Sequence, residues 1–367
     1  MQSDTLKNLT LVVAIFFFTS NLSGSFLPVY FKETGLGVPE IAEVLLITFI
    51  LIGLLPLALL KSVKNFERII SLGIFCTMLF YIVLIYIKSP VILGLAYGLS
   101  VATFWPSFNL LQFRLSESKL RARTISFFSI IIPSIASIAG PAVGGFIIED
   151  FSFSTLFAVA VILYFVAFLF STRIRSQPET SKFSIPRSRI FFVFFGSFII
   201  LGLSEAYWIA YPFFVLSISG TVLSMGLVLA SSAVLISAMT FLINWVSDTT
   251  KMRVDLALVG TALSIVWYFA VASASTTHEI VVLSLLSGLA NAFSISWFAH
   301  FSDFFGREQY ASILVLMEVG LMIGRILNLI PTLVFIPTAE YASHFRLLGL
   351  VLFFMIPLYI ISRKHRT

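Results

Sequence analysis

Runs of about twenty apolar residues recur along this 367-residue chain, each the length an α-helix needs to cross roughly 30 Å of hydrocarbon. Barrel strands would alternate outward apolar and inward polar residues over about ten positions, and these runs do not alternate. Charged residues make up 11% of the chain and hydrophobic ones 59%, whereas soluble chains carry about a quarter charged residues. In lipid a helix satisfies its own backbone, so the fold class expected is an all-α membrane protein. Twelve spans are predicted, near 9–31, 40–60, 69–87, 90–113, 122–148, 153–172, 189–216, 221–246, 255–275, 278–300, 309–335 and 342–362. The short polar leader from Met1 to Asn8 is followed by no small-residue cleavage site, so the first run reads as a span and not as a cleaved signal.

The loops then set an orientation. With both termini on one side, that side collects most of the basic residues, including Lys61, Lys64, Arg68, Arg121, Arg123, Lys251, Arg253, Arg363 and Lys364. The opposite side holds Lys32, Lys88 and Arg346. The positive-inside rule makes the crowded side cytoplasmic, which predicts a multi-pass cell-membrane protein with both termini in the cytoplasm. The net charge of +6 is dispersed over these loops, and no nucleic-acid partner is expected. The single cysteine, Cys76, excludes an intrachain disulfide or a cysteine metal site. Phosphate-binding glycine loops are absent. No cofactor and no metal are expected.

A basic linker, residues 173–188, separates two halves, 1–172 and 189–367, that resemble each other. Pro28 through Val38 aligns without gaps on Pro212 through Val222. The fourth span carries Gly98 and then Trp105, and the tenth carries Gly288 and then Trp297. Six spans repeated in parallel orientation is a transporter architecture.

The fifth span contains Gly140-Pro141-Ala-Val-Gly144-Gly145, and the loop after the eighth contains Asp248-Thr-Thr-Lys251-Met-Arg253. With these elements the chain resembles the major facilitator superfamily over essentially its whole length, and in motif it is nearest to that family's proton-coupled exporters. The first element resembles GPxxGG, typical of those exporters; its glycines also make a small-residue packing face. The second resembles the family's acidic-then-basic loop, which caps helix ends and salt-bridges between bundles; the equivalent loop at 61–68 lacks the usual Gly and Asp. Many proton-coupled relatives carry an arginine early in the fourth span, where this chain has Gly94. The resemblance implies two pseudo-symmetric six-helix bundles around a central cavity lined by the first, fourth, seventh and tenth spans.

Charge inside a span costs at least a few kcal/mol, so it points to function. Three residues qualify: Glu205 in the seventh span, and Glu318 and Arg325 in the eleventh. Glu205 lies about 22 Å along a helix entering near Arg189, and Arg325 at a similar depth along one entering near Gln309. A Glu205–Arg325 pair is therefore expected, with Glu318 seven residues before Arg325 on the same face. Protonation of either carboxyl would then bias the bundle, or the trio is a structural clamp. Candidate cavity residues are Asn21, Trp105, Asn109, Trp208, Tyr211, Asn291, Trp297 and Asn328, aromatics and amides suited to an amphipathic solute. His300 and Asp303 read as a solvated helix end.

The function expected is secondary transport of a small molecule by a monomer in the lipid bilayer, as proton-coupled efflux of an amphipathic or cationic compound. The alternative is uptake of a sugar or organic anion. An intramembrane enzyme or sensor lacks a nucleophile–base cluster or a signalling domain to support it, and no enzymatic activity is expected.

Overall fold

The computed structural model describes residues 2–62, 66–115, 132–174, 184–250, 252–305 and 309–364. Its contacts divide the chain into two units, Met1–Phe183 and Ser184–Thr367. The first contains α1 (Gln2–Gly24), α2 (Leu27–Glu33), α3 (Val38–Ser62), α4 (Phe66–Tyr86), α5 (Pro90–Leu115), α6 (Ile132–Asp150) and α7 (Phe153–Ser171). The second contains α8 (Arg189–Leu203), α9 (Ala210–Ser219), α10 (Val222–Thr250), α11 (Arg253–Val271), α12 (Thr277–Asp303), α13 (Tyr310–Phe335), α14 (Tyr341–Leu352) and α15 (Met355–Lys364).

Eleven stretches among the described residues are long and apolar enough to cross a membrane. The predicted seventh span departs from this pattern. In place of one helix over 189–216 there are two shorter apolar helices, α8 and α9, separated by an unwound segment at 204–209. Of the predicted fifth span, residues 122–131 lie outside the described residues.

Local chemistry sets where the helices start and stop. Ser152 Oγ accepts from the Thr155 amide at 3.1 Å to open α7, and Thr276 with Glu279 forms a reciprocal capping box that opens α12. Gly220, in the left-handed region at φ 76°, closes α9.

Packing repeats between the units. In the first, α5 lies between α3 and α4, α1 packs on α6 and α7, and α4 packs on α7. In the second, α12 lies between α10 and α11, α8 packs on α13, α14 and α15, and α11 packs on α14 and α15. These principal neighbour relations of one half have counterparts in the other, as expected when one hydrophobic pattern is used twice.

Glycines allow the closest of these contacts. A Cβ on Gly140 would lie 2.7 Å from Asn21 Cβ and 2.8 Å from the Leu22 nitrogen, so α6 meets α1 backbone to backbone. The same device recurs where α13 meets α8, at Gly320 and Gly324. Gly94 belongs to this group. A Cβ there would lie 2.8 Å from both Ile47 Cβ and the Val44 oxygen, so α5 and α3 leave no room for an arginine at that position.

Near the chain's end, Arg363 Nη1 meets Asp255 Oδ1 at 3.0 Å and joins α15 to α11. The two side chains are 65% and 33% exposed, and exposed pairs contribute little. Asp255→Asn is expected to change thermal stability by less than about 1 kcal/mol; a larger loss in a melting experiment in detergent would show that this end of the bundle is clamped electrostatically.

Candidate functional site

Pro212 weakens the helix locally at the interruption between α8 and α9. It has no amide hydrogen, and its ring would clash with the carbonyl four residues back, at Trp208. The first unit shows the same arrangement before the aligned proline: α1 stops at Gly24 and α2 restarts at Leu27, with Pro28 in its first turn.

An unwound segment at membrane depth must find partners for its carbonyls. Side chains from two other helices provide them. The Tyr268 hydroxyl on α11 donates to the Ser204 carbonyl. Asn328 Nδ2 on α13 donates to the Glu205 carbonyl at 2.5 Å. The Ala206 carbonyl is taken by the Tyr211 amide at 2.9 Å.

The segment points Glu205 at α13. Arg325 Nε donates to Glu205 Oε2 at 2.8 Å and Nη2 to Oε1 at 3.0 Å, a bidentate pair. The Trp208 indole nitrogen also donates to Oε2, and its ring lies 5.5 Å from Arg325 Cζ. The third guanidinium nitrogen, Nη1, lies 3.6 Å from Glu318 Oε2. Side-chain exposures of 11% for Arg325, 12% for Glu205 and 14% for Glu318 put all three largely out of solvent. With both carboxyls ionised, two carboxylates and one guanidinium would leave one negative charge uncompensated within the trio.

Glycines bring these groups into register. A Cβ on Gly324 would lie 2.6 Å from the Leu203 nitrogen, and one on Gly202 would lie 3.1 Å from the Arg325 nitrogen. Removing side chains at both positions lets α8 and α13 approach until a glutamate and an arginine on opposing backbones make two hydrogen bonds.

The first unit carries a neutral counterpart. Seven residues before Pro28 stands Asn21, and seven before Pro212 stands Glu205. Asn21 meets the helix that bears Gly140 and Gly144: its Oδ1 accepts from Ser137 Oγ at 3.1 Å and its Nδ2 donates to the Phe17 carbonyl at 2.8 Å. The two glycines, with Pro141 and Gly145, are buried on α6. Where the first half reads Gly144-Gly145, the second reads Gly324-Arg325. The repeat is conserved in shape, and the charge is added on one side.

The remaining candidates disperse. Trp297 and Tyr211 are packed within the second unit: the Trp297 indole donates to Ser197 Oγ at 2.9 Å, and the Tyr211 hydroxyl pairs with Ser284 Oγ at 2.7 Å. Their polar atoms are committed to the bundle's core and do not line an open wall. Trp105 is half-buried in an edge-to-face cluster with Phe17 and Phe108; Asn109 is half-buried and Asn291 exposed. Trp208 stands in the unwound segment, so it reaches Glu205 across a loop and not along a helical face. Lys251 and the side chain of Asp248 lie outside the described residues, while Arg253 begins α11. His300 is no solvated helix end. It is fully buried, ringed by Phe194, Trp297 and Phe304.

A sequence profile described as Major Facilitator Superfamily matches residues 9–192. The chain belongs to the major facilitator superfamily. It is accordingly a multi-pass secondary transporter of a small molecule in the lipid bilayer, and not an enzyme. The crystal structure of a variant of the nucleoside transporter NupG superposes on this superfamily member with a TM-score of 0.75, covering 98% of this chain and 99% of that one at 13% identity. At that identity the likeness speaks for the fold. A protein of Geobacillus stearothermophilus, described as an uncharacterized protein in the sodM 3′ region, is 28% identical over 166 residues, which is 41% of this chain and 74% of that protein.

Sequence reasoning missed Tyr268 and His344, which lie within the site or directly behind it. They are uncharged or neutral-capable residues on apolar helices, without a signal in composition. Pro212 was the available signal for the break, read only as a marker of the repeat.

Proposed function

We propose that this transporter couples solute movement to protons through Glu318, with Glu205 as the anchored partner of Arg325, and that it exports an amphipathic or cationic compound. The observation that carries this reading is the sharing of one guanidinium by two carboxylates. Glu205 has both oxygens engaged, by Arg325 and by Trp208. Glu318 holds a single ion-pair contact among the described residues, at 3.6 Å. An uncompensated carboxylate in a low-dielectric site favours uptake of a cation, either a proton or a positively charged solute. Lowering the pH protonates Glu318 and leaves the Glu205–Arg325 pair neutral; raising it restores the negative charge that would draw the next cation. Because Arg325 is already engaged by two carboxylates, an organic anion would have to displace one of them, which weighs against anion uptake. The charge asymmetry of the loops supports cytoplasmic termini, so efflux would run outward against an inward proton flow.

The test is proton movement in proteoliposomes with a pH-sensitive dye inside, challenged with lipophilic cations, sugars and organic anions. A lipophilic cation is expected to trigger proton flux, and Glu318→Gln to reduce that flux by about 100-fold or more. Undiminished, still pH-dependent transport by Glu318→Gln and by Glu205→Gln would reduce the trio to a structural clamp.

A further inference from the structure

Behind the ion pair lie two buried residues that carry none of its charge. Asn328, on α13, is 6% exposed and His344, on α14, is 1% exposed. Asn328 Nδ2 lies 2.5 Å from the Glu205 carbonyl oxygen, and Asn328 Oδ1 lies 3.4 Å from His344 Nε2. The proton positions along this series follow from its Glu205 end. A carbonyl oxygen only accepts, so Asn328 must turn its NH2 toward Glu205 and its oxygen toward His344. That oxygen also only accepts, so His344 Nε2 must carry the ring hydrogen. Nδ1 is then left with a lone pair, and it is buried with no hydrogen-bond partner among the described residues. A second proton at Nδ1 would place a donor and a charge on an imidazole whose ring centroid lies 6.4 and 6.2 Å from those of Phe335 and Phe345, with no acceptor among the described residues. The imidazole is thus held in one neutral tautomer.

We propose that Asn328 and His344 form a latch that positions the unwound backbone at Glu205, and through it the carboxylate that meets Arg325. Both are positioning residues. His344 orients the Asn328 amide, and the amide supplies the hydrogen bond that the Glu205 carbonyl loses where the helix stops. The latch ties α14 to the break through α13, so a shift of α14 changes where Glu205 points without touching its carboxyl. This inference rests on the reading that the Glu205 site takes part in transport, but its test uses no transport.

The test places a reporter beside Glu205 in the full-length protein: Tyr207→Cys, at a position 56% exposed, in a Cys76→Ser background, with maleimide labelling rates measured in detergent. His344→Leu and Asn328→Leu are each expected to raise the labelling rate at residue 207 roughly fivefold or more as the segment loosens. The double variant should match Asn328→Leu alone, because both act on one series of bonds. His344→Gln, which can still present an N–H to Asn328, should stay within about twofold of the reference. A reference rate in His344→Leu, or equal damage in His344→Gln and His344→Leu, overturns the latch. If the leucine variants do not survive gel filtration, nitrogen-15 NMR of histidine-labelled unsubstituted protein decides: the signals lost in His344→Gln must report a protonated Nε2 and an unprotonated Nδ1, and the reverse tautomer sinks the proposal. Should the tautomer and labelling come out as stated while the glutamine variants of Glu205 and Glu318 transport normally, the latch stands and the proton-coupling reading falls.

Discussion

Arg325→Ala is expected to be the most damaging single substitution in the second unit. It leaves Glu205, and the less tightly held Glu318, as carboxylates without a counter-ion at sites 12% and 14% exposed. Breaking a buried pair by removing one partner costs about 3–5 kcal/mol, because the other charge stays buried and uncompensated. The thermal midpoint in detergent should fall accordingly. Adding Glu205→Gln and Glu318→Gln to Arg325→Ala removes the stranded charges, and most of the lost stability should return although no ion pair is rebuilt. Lysine at 325 is expected to be an incomplete substitute, since it cannot reproduce the two parallel hydrogen bonds of the guanidinium. An unchanged midpoint in Arg325→Ala would mean that water already solvates the trio, and the case for a charge-driven site would fail.

The second large effect concerns a methyl group. Gly324→Ala would put a Cβ 2.6 Å from the Leu203 nitrogen and 2.9 Å from Gly202 C, and against the Ile199 carbonyl oxygen. These are backbone atoms of α8 and cannot rotate away, so the helices must separate. Overpacking of this kind costs about 1–3 kcal/mol. It should also lengthen the Glu205–Arg325 bonds, which depend on the same close approach. Gly196→Ala, on the facing helix α8, is the comparison: its new methyl meets only Leu358 Cδ1, at 3.9 Å. Alanine is the better helix former by about 1 kcal/mol, so Gly196→Ala should be neutral or slightly stabilising. Equal melting points for the two variants would show that α8 and α13 are not held in backbone contact.

How far the site could be read in advance depended on the kind of signal. Glu205, Glu318 and Arg325 stand out because a charge within an apolar run has few innocent explanations, and a constant rise per residue converts sequence distance into depth. Trp297 and Tyr211 carried a weaker signal. An aromatic with a polar tip looks the same in sequence whether it faces a cavity or reaches a serine in the core, and here Ser197 and Ser284 take the polar atoms. His300 was misjudged for a related reason. Its place near a helix end suggested water, but Phe194, Trp297 and Phe304 surround it.

By itself the sequence determined the class of fold, the approximate spans and the repeat, because all three follow from local hydrophobic length and from a pattern written twice. It also supplied the glycines that allow close approach, though not what they approach. Only the tertiary structure decided that the seventh span is broken. Pro56, Pro106, Pro141 and Pro331 each lie inside a continuous helix, so a proline does not by itself interrupt a span. The segment before Pro212 stays unwound where Tyr268 and Asn328, from distant parts of the chain, hydrogen-bond the carbonyls of Ser204 and Glu205. An unwound backbone in lipid is tolerable only with such partners, and partners supplied 64 and 123 residues away are a property of packing, not of any local stretch.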